Sequence, residues 1–102
     1  RIHAYREQLH TMLDGFRFFP DSCTHTAPQG GLFVWAELPE GVDTLPLLEK
    51  AVARKVAYIP GTHFYPDGGH ANTLRLNFSA CEPARITQGM QILGDLLKET
   101  LK

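Results

Sequence analysis

Long hydrophobic runs are absent from this 102-residue sequence, and no stretch approaches the roughly 20 apolar residues that a membrane-spanning helix needs. Residues 1–14 mix charged and apolar side chains and contain no apolar segment of the kind found in secretory signals. An excess of one charge is also lacking, because ten basic and eleven acidic residues leave a net charge of -1. This balance provides no basic surplus for phosphates or anionic lipids. We therefore expect no membrane and no nucleic acid as a direct partner.

Cysteine is scarce, and the two cysteines, Cys23 and Cys81, form no C-x-x-C pair. This usage is typical of a reducing compartment, so we expect a cytoplasmic protein without a disulfide framework. The five histidines show neither H-x-x-x-H nor H-E-x-x-H spacing, and we expect no metal site. An initiator methionine is missing, and the first residues already show helical periodicity without a capping residue. We expect the chain to be part of a longer protein whose first helix begins upstream.

The pattern of apolar residues predicts helix, strand, helix, strand, strand, helix, with one further short strand within residues 17–29 left open. Helical spacing extends over residues 1–16, and the second helix is predicted to be capped by Asp43 or Thr44. Strands are predicted over 32–38, 56–59 and 73–78. The apolar stripe of the last helix consists of Ile86, Met90, Leu93, Leu97 and Leu101. We expect one α+β domain over residues 1–102, with a small, mainly antiparallel sheet of about three strands and helices packed on one face.

The third predicted strand carries the most informative residue. Successive side chains of a strand point to opposite faces, so Leu74 and Leu76 belong to a core face. Arg75 lies on the other face, beside Thr73 and Asn77. An arginine at the centre of a strand needs a partner for its guanidinium, and a bound carboxylate fits its planar fork. A salt bridge to an acid of the same chain, or a solvated face, are the structural alternatives.

Two aromatic pairs have more than one interpretation. Phe64 and Tyr65 are adjacent in a loop rich in Gly, Pro, Asp and His, where aromatic rings are costly to leave in water. That loop either folds back onto the core or binds a ligand. Phe33 and Trp35 could form a stacking platform, although without a basic excess we favour core packing or a domain interface for them.

Three ordered sequence blocks resemble one known family. They are PQGGLFVWAELP at residues 28–39, VAYIPGTHFYPDGG at 56–69 and NTLRLNFS at 72–79, and a long amphipathic helix follows them. Together they resemble the C-terminal small domain of class I/II aminotransferases, which are fold-type I enzymes that use pyridoxal 5'-phosphate. The blocks look closest to the branch of 2-aminoadipate aminotransferases and aminotransferase-like transcription regulators. The resemblance implies the aminotransferase small-domain fold, with residues 1–15 as the end of an inter-domain helix.

The resemblance also implies substrate-binding roles for four residues. Arg75 occupies the position of the arginine that binds the α-carboxylate of the substrate, and Phe64 that of an aromatic residue near the substrate pocket. Gly31, in the Gly30–Gly31 pair, matches the tight approach into the first small-domain strand. Asn72 lies close to Arg75 in the sequence, where an ordering role for the loop is favoured over contact with substrate.

The same resemblance places the cofactor outside this chain. No lysine stands in the serine-rich context of the one that forms the Schiff base, and no glycine-rich phosphate loop opens a helix. We therefore predict no catalytic and no cofactor-binding residue here, and an inactive fragment. In the longer protein, the large domain of the same chain would bind pyridoxal 5'-phosphate, the substrates would be an amino acid and a 2-oxo acid, and the assembly would be a homodimer. The alternatives are an effector-sensing domain of a transcription regulator and a free-standing interaction domain.

Overall fold

The computed structural model describes residues 2–26, 33–66, 68–77 and 81–101. They form two compact units, one over Asp21–Asn77 and the other made of Arg1–Pro20 and Phe78–Lys102. In chain order the elements are α1 (Ile2–Gly15), β1 (Thr24–His25), β2 (Phe33–Glu37), α2 (Thr44–Ala53), β3 (Ile59–Pro60), β4 (Thr73–Asn77) and α3 (Pro83–Thr100), with 3₁₀ turns at Phe16–Phe18 and Gly61–Phe64. None of the described helices is long and apolar enough to cross a bilayer.

The terminal unit consists of α1 packed on α3. The helical stripe predicted for α3 is buried at its first four positions, Ile86, Met90, Leu93 and Leu97. Residues three and four apart lie on one side of a helix, so this spacing presents a continuous apolar surface to α1. The fifth predicted position, Leu101, is the C-cap of α3 and is half-buried.

The central unit contains a four-stranded antiparallel sheet with strand order β1-β2-β4-β3. The α+β class and the antiparallel sheet are thus confirmed. The sheet has one strand more than the three expected, because the two-residue β1 pairs with β2 at its edge. Arg75 is central in this arrangement, since its Cα pairs with Trp35 of β2 on one side and with Ile59 of β3 on the other.

The strand predicted over residues 56–59 is wrong in position, because the chain there is still completing α2. Lys55 adopts a left-handed conformation with φ 71°, and its N–H donates to the Val52 carbonyl at 2.9 Å. The N–H of Val56 donates to the Ala51 carbonyl at 3.0 Å. These two bonds form a Schellman C-cap, in which the residues after a helix satisfy its last carbonyls. The strand therefore starts only at Ile59–Pro60.

The start of α2 is bonded to the segment that leads into β4. Asp43, one of the two predicted capping residues, is the N-cap of α2. Its carboxylate accepts a hydrogen bond from the Leu45 N–H at 3.0 Å. The other, Thr44, is fully buried and donates its hydroxyl to the Thr73 carbonyl at 2.8 Å. The hydroxyl of Tyr58 donates in turn to the Thr44 carbonyl at 2.7 Å. Each buried polar group here has a partner, so α2 is anchored at the strand that carries Arg75.

Candidate functional site

The side chains of the paired strands β2 and β4 point to two opposite faces of the sheet. The alternation of residues in the sequence predicted this for β4. The apolar face is fully or almost fully buried and consists of Val34, Ala36, Leu74 and Leu76. The opposite face, which we call the Arg75 face, is half-buried to exposed and consists of Phe33, Trp35, Glu37, Thr73, Arg75 and Asn77. The Arg75 face is therefore the side of this strand pair that the core leaves partly open.

Among the described residues, Arg75 is contacted by aromatic rings and not by an acid. Its guanidinium carbon Cζ lies 4.0 Å from the ring centroid of Phe33 and 4.6 Å from that of Phe64, both within cation–π range. No Asp or Glu of the described residues forms an ion pair with it. Its Nε atom is buried and has no hydrogen-bond partner within the described part of the chain. A buried N–H without an acceptor is costly, so this arrangement favours an anion as the missing partner.

The loop aromatics fold back onto the Arg75 face. The ring of Phe64 meets that of Trp35 edge-on at 5.1 Å, and the ring of Tyr65 lies 6.5 Å from it. Phe64 and Tyr65 nevertheless remain 39% and 37% exposed. They pack on the sheet without being covered, which leaves ring surface available beside the guanidinium.

The loop after these aromatics is closed by backbone conformation and stacking. Gly68, Gly69 and His70 have φ angles of 85°, 79° and 57°, so the chain reverses through three left-handed residues. The imidazole of His70 stacks on the Tyr65 ring at 3.9 Å, and the His70 carbonyl accepts from the Thr73 hydroxyl at 2.8 Å. These contacts return the chain to the start of β4.

A close backbone approach at Gly61 joins the 3₁₀ turn to the same strand. A Cβ at this position would lie 2.9 Å from the His70 carbonyl oxygen and 3.0 Å from Thr73 Cβ. Only a glycine fits there without a displacement of backbone. Gly61 begins the turn that ends with Phe64, so this contact helps to place Phe64 over Arg75.

A cavity of about 320 Å³ opens on the Arg75 face next to Trp35. Its lining includes Trp35, Glu37, Tyr65, His70 and Thr73. Trp35 and Thr73 border it on the side of Arg75, since Trp35 pairs directly with Arg75 and Thr73 lies two residues before it on the same face. Arg75 itself is not one of the lining residues, and its guanidinium lies over the ring of Phe33, towards the opposite end of the paired strands.

The described residues offer no cluster of side chains that could bind a metal ion. Within residues 2–26, 33–66, 68–77 and 81–101, no three His, Cys, Asp or Glu side chains come together as metal ligands. The thiol of Cys23 is half-buried, and burial raises its pKa above the usual value, which keeps it protonated and poorly nucleophilic at neutral pH.

Sequence comparison identifies close relatives of the chain. No protein-family model matches it. It is 44% identical over 102 residues to the aromatic-amino-acid aminotransferase 1 of Thermococcus litoralis, an alignment that covers 99% of this chain and 24% of the relative. It is also 35% identical over 85 residues to an HTH-type transcriptional regulator of Escherichia coli, with 83% of this chain and 18% of the regulator covered.

Solved structures show the same fold. The multiple substrate aminotransferase of Thermococcus profundus matches with a TM-score of 0.93 at 38% identity, over 98% of this chain and 25% of that one. The alpha-aminoadipate aminotransferase of Thermus thermophilus, complexed with N-(5'-phosphopyridoxyl)-L-leucine, matches with a TM-score of 0.91 at 39% identity, over 97% and 26%.

By sequence and by fold, the chain belongs to the fold-type I aminotransferase family. It spans about a quarter of the length of the relatives that it matches, and it corresponds to their C-terminal part. The resemblance to the 2-aminoadipate branch is confirmed, since a 2-aminoadipate transaminase is among those relatives.

The aminotransferase fold brings some of the predicted site residues together and not others. Arg75 and Phe64 are in direct contact. The side-chain amide of Asn72 donates to the Leu38 carbonyl at 2.6 Å, which agrees with the favoured ordering role, and its contact with substrate stays a prediction. Gly31 lies outside the described residues, so its predicted role stays untested as well.

Sequence reasoning missed Phe33 as a neighbour of Arg75 in this aminotransferase segment. The sequence offered only its place two residues before Trp35, which puts both rings on one face of a strand. The register of strand pairing decides which residue of another strand those rings contact. A local sequence pattern does not contain that register.

Proposed function

We propose that this chain is the substrate-binding small domain of a pyridoxal phosphate-dependent aminotransferase, in which Arg75 binds the α-carboxylate of an amino acid or a 2-oxo acid. The observation that carries the proposal is the buried Nε of Arg75, which has no hydrogen-bond partner among the described residues, in a chain homologous to aminotransferases. An arginine with an acidic partner in its own chain would have been occupied. This one lacks such a partner within the described residues.

Arg75 suits a carboxylate for geometric reasons. A guanidinium presents pairs of N–H groups in one plane, which match the two oxygens of a carboxylate in a bidentate contact that lysine cannot form. Its position in the middle of β4, between β2 and β3, restrains the backbone on both sides. Binding at such a site fixes the orientation of a substrate as well as its affinity.

Phe64 would act next to this contact by excluding water. Its ring lies 4.6 Å from the guanidinium carbon, and part of its surface is still exposed. Covering that surface on substrate binding lowers the local dielectric and strengthens the ion pair between Arg75 and the carboxylate.

The lysines that the structure describes are not placed to hold the cofactor. Lys50, Lys55 and Lys98 are exposed on or beside helices, and none of them lies on the Arg75 face. No described lysine is therefore placed to form a Schiff base near Arg75, and we derive no step of the reaction through the cofactor. In this proposal the large domain of the longer chain binds pyridoxal 5'-phosphate, and the fragment alone is inactive. The homodimer and the cytoplasmic location stay predictions.

Replacement of Arg75 in the full-length protein tests the proposal. Truncation of one partner of a hydrogen-bonded charge pair costs about 2–5 kcal/mol, so Arg75→Ala should lower kcat/KM by about 30- to 5,000-fold. Arg75→Lys should recover only part of the loss, because it restores the charge without the fork. The measurement is steady-state kinetics with an amino acid and a 2-oxo acid, with cofactor absorbance recorded to show that each variant is loaded.

Arg85 provides a matched control, because it is an exposed arginine in the first turns of α3. Arg85→Ala should leave kcat/KM within about twofold, as surface substitutions away from a site usually do. Unchanged kinetics in Arg75→Ala with the cofactor bound would refute the assignment of Arg75.

A second candidate function is supported by the Escherichia coli regulator, which shares 35% identity over 85 residues. In that case the carboxylate site would sense an amino acid without turnover. The two functions separate in one experiment on the full-length protein, in which transamination and sequence-specific DNA binding are both measured. Turnover supports the enzyme, whereas amino-acid-dependent DNA binding without turnover supports the regulator.

A further inference from the structure

We propose that Phe33 is a positioning residue for Arg75, whose ring holds the guanidinium in the place where a carboxylate meets it. The inference rests on the proposed function of Arg75 and deepens it, since it concerns how the binding group is kept ready before the ligand arrives. Phe33 has no other role in the site described above.

The sheet register places Phe33 where it can do this. Phe33 pairs with Asn77 and Trp35 pairs with Arg75, so Phe33 is the diagonal neighbour of Arg75 on the same face. Diagonal neighbours of an antiparallel pair lie within reach when one side chain is aromatic and the other is long. The observed distance of 4.0 Å from Cζ to the Phe33 centroid shows that the guanidinium takes this diagonal course.

Phe33 is better suited to a positioning role than the second ring at the guanidinium. Phe64 is farther away, at 4.6 Å, and it ends a short 3₁₀ turn that is followed by a loop. Phe33 lies on a strand that pairs with β4 along five residues. A ring on the neighbouring strand keeps a constant distance to Arg75, whereas a ring on a loop depends on the conformation of that loop.

An aromatic ring can hold a guanidinium without occupying it. The electron-rich face of the ring attracts the cation, yet it takes none of the five N–H donors in a conventional hydrogen bond. A carboxylate of the same chain would attract Arg75 more strongly, but it would compete with the ligand. The buried Nε without a partner among the described residues fits a cation that is placed and still free to bind.

Substitution of Phe33 in the full-length protein tests the proposal. Phe33→Leu keeps an apolar side chain and removes the ring face, whereas Phe33→Tyr keeps the ring. Loss of a partly desolvated cation–π contact should raise KM for the amino acid about tenfold in Phe33→Leu. The dissociation constant of propionate, an unreactive carboxylate, should rise by the same factor in calorimetry. Because the contact exists before and during the reaction, kcat should stay within about twofold, and Phe33→Tyr should restore KM to within about threefold.

A double-mutant cycle separates positioning from a general effect on the fold. If the ring acts through the guanidinium, Phe33→Leu should change KM by no more than about twofold when Arg75 is already alanine. Phe18→Leu is the matched aromatic control, because the Phe18 ring also contacts a guanidinium, that of Arg17 at 4.4 Å, and Phe18 does not belong to the Arg75 face. It should leave the propionate constant within about twofold of the parent protein.

Each outcome has a distinct meaning. A tenfold loss that persists with alanine at position 75 would assign Phe33 to the fold and overturn the positioning role. A neutral Phe33→Leu beside an impaired Arg75→Ala would overturn this inference and leave the proposed function intact. A neutral Arg75→Ala would overturn the proposed function itself, and the role of Phe33 would fall with it.

Discussion

Two glycines of α3 should respond to alanine in opposite directions. A Cβ at Gly89 would meet no atom within 4 Å, whereas a Cβ at Gly94 would lie 2.7 Å from the carbonyl carbon and 2.9 Å from the Cβ of Phe18. Alanine in a helix interior is favoured over glycine by about 1 kcal/mol, so Gly89→Ala should stabilise the helix by about that amount. The same gain applies at Gly94, but the backbone of Phe18 has to move.

The cost at Gly94 follows from the kind of atom that is met. Overpacking of a tight site costs about 1–3 kcal/mol, and a main-chain carbonyl cannot rotate away as a long side chain can. With the gain in helix propensity subtracted from the upper end of that range, Gly94→Ala should destabilise by about 2 kcal/mol. The two variants should therefore differ by about 3 kcal/mol, although they make the same chemical change in one helix.

Native-state hydrogen exchange of the α3 amides measures the free energy of helix opening in both variants. It can be applied to this chain and to the full-length protein. For amides that exchange through opening of the helix, Gly89→Ala should slow exchange about fivefold and Gly94→Ala should accelerate it about thirtyfold. Equal shifts of the same sign would refute the reasoning. That result would mean that the contact between Gly94 and Phe18 does not limit the packing of α3.

Two smaller predictions concern the start of α2. Asp43→Ala should lower the free energy of unfolding by about 1 kcal/mol in urea denaturation, because the Leu45 N–H loses its cap, and Asp43→Asn should recover most of it. Burial, together with the nearby charge of Asp43, raises the pKa of Tyr58 well above its ordinary value of 10.0. The folded state holds that proton more tightly, so the stability it contributes is complete below pH 10 and is lost as the pH rises further. Tyr58→Phe, which loses the bond to Thr44, should cost about 1 kcal/mol at pH 8, and its difference from the parent protein should shrink above pH 10. A constant difference would contradict the assignment.

Much of the fold could be predicted from local pattern. The spacing of apolar residues in α3 identified its buried side, and the alternation in β4 separated Leu74 from Arg75. Both periodicities are properties of the backbone, so a single segment contains the whole signal. The end of α2 was less accessible, because Lys55 takes a left-handed conformation that usually belongs to glycine, and the sequence offered no glycine as a marker.

The candidate site, too, could be predicted from the sequence only in part. The sequence determined by itself that an arginine stands at the centre of a strand on the non-core face, and the resemblance of three blocks to aminotransferases attached a role to it. Only the tertiary structure decided that the rings of Phe33 and Phe64 lie over the guanidinium and that no Asp or Glu of the described residues pairs with it. The reason is that β4 pairs with β2, some forty residues earlier in the chain, in a register that local sequence does not encode. One residue of slip would turn every side chain of that strand to the other face, so the neighbours of Arg75 come from the packing of the whole sheet.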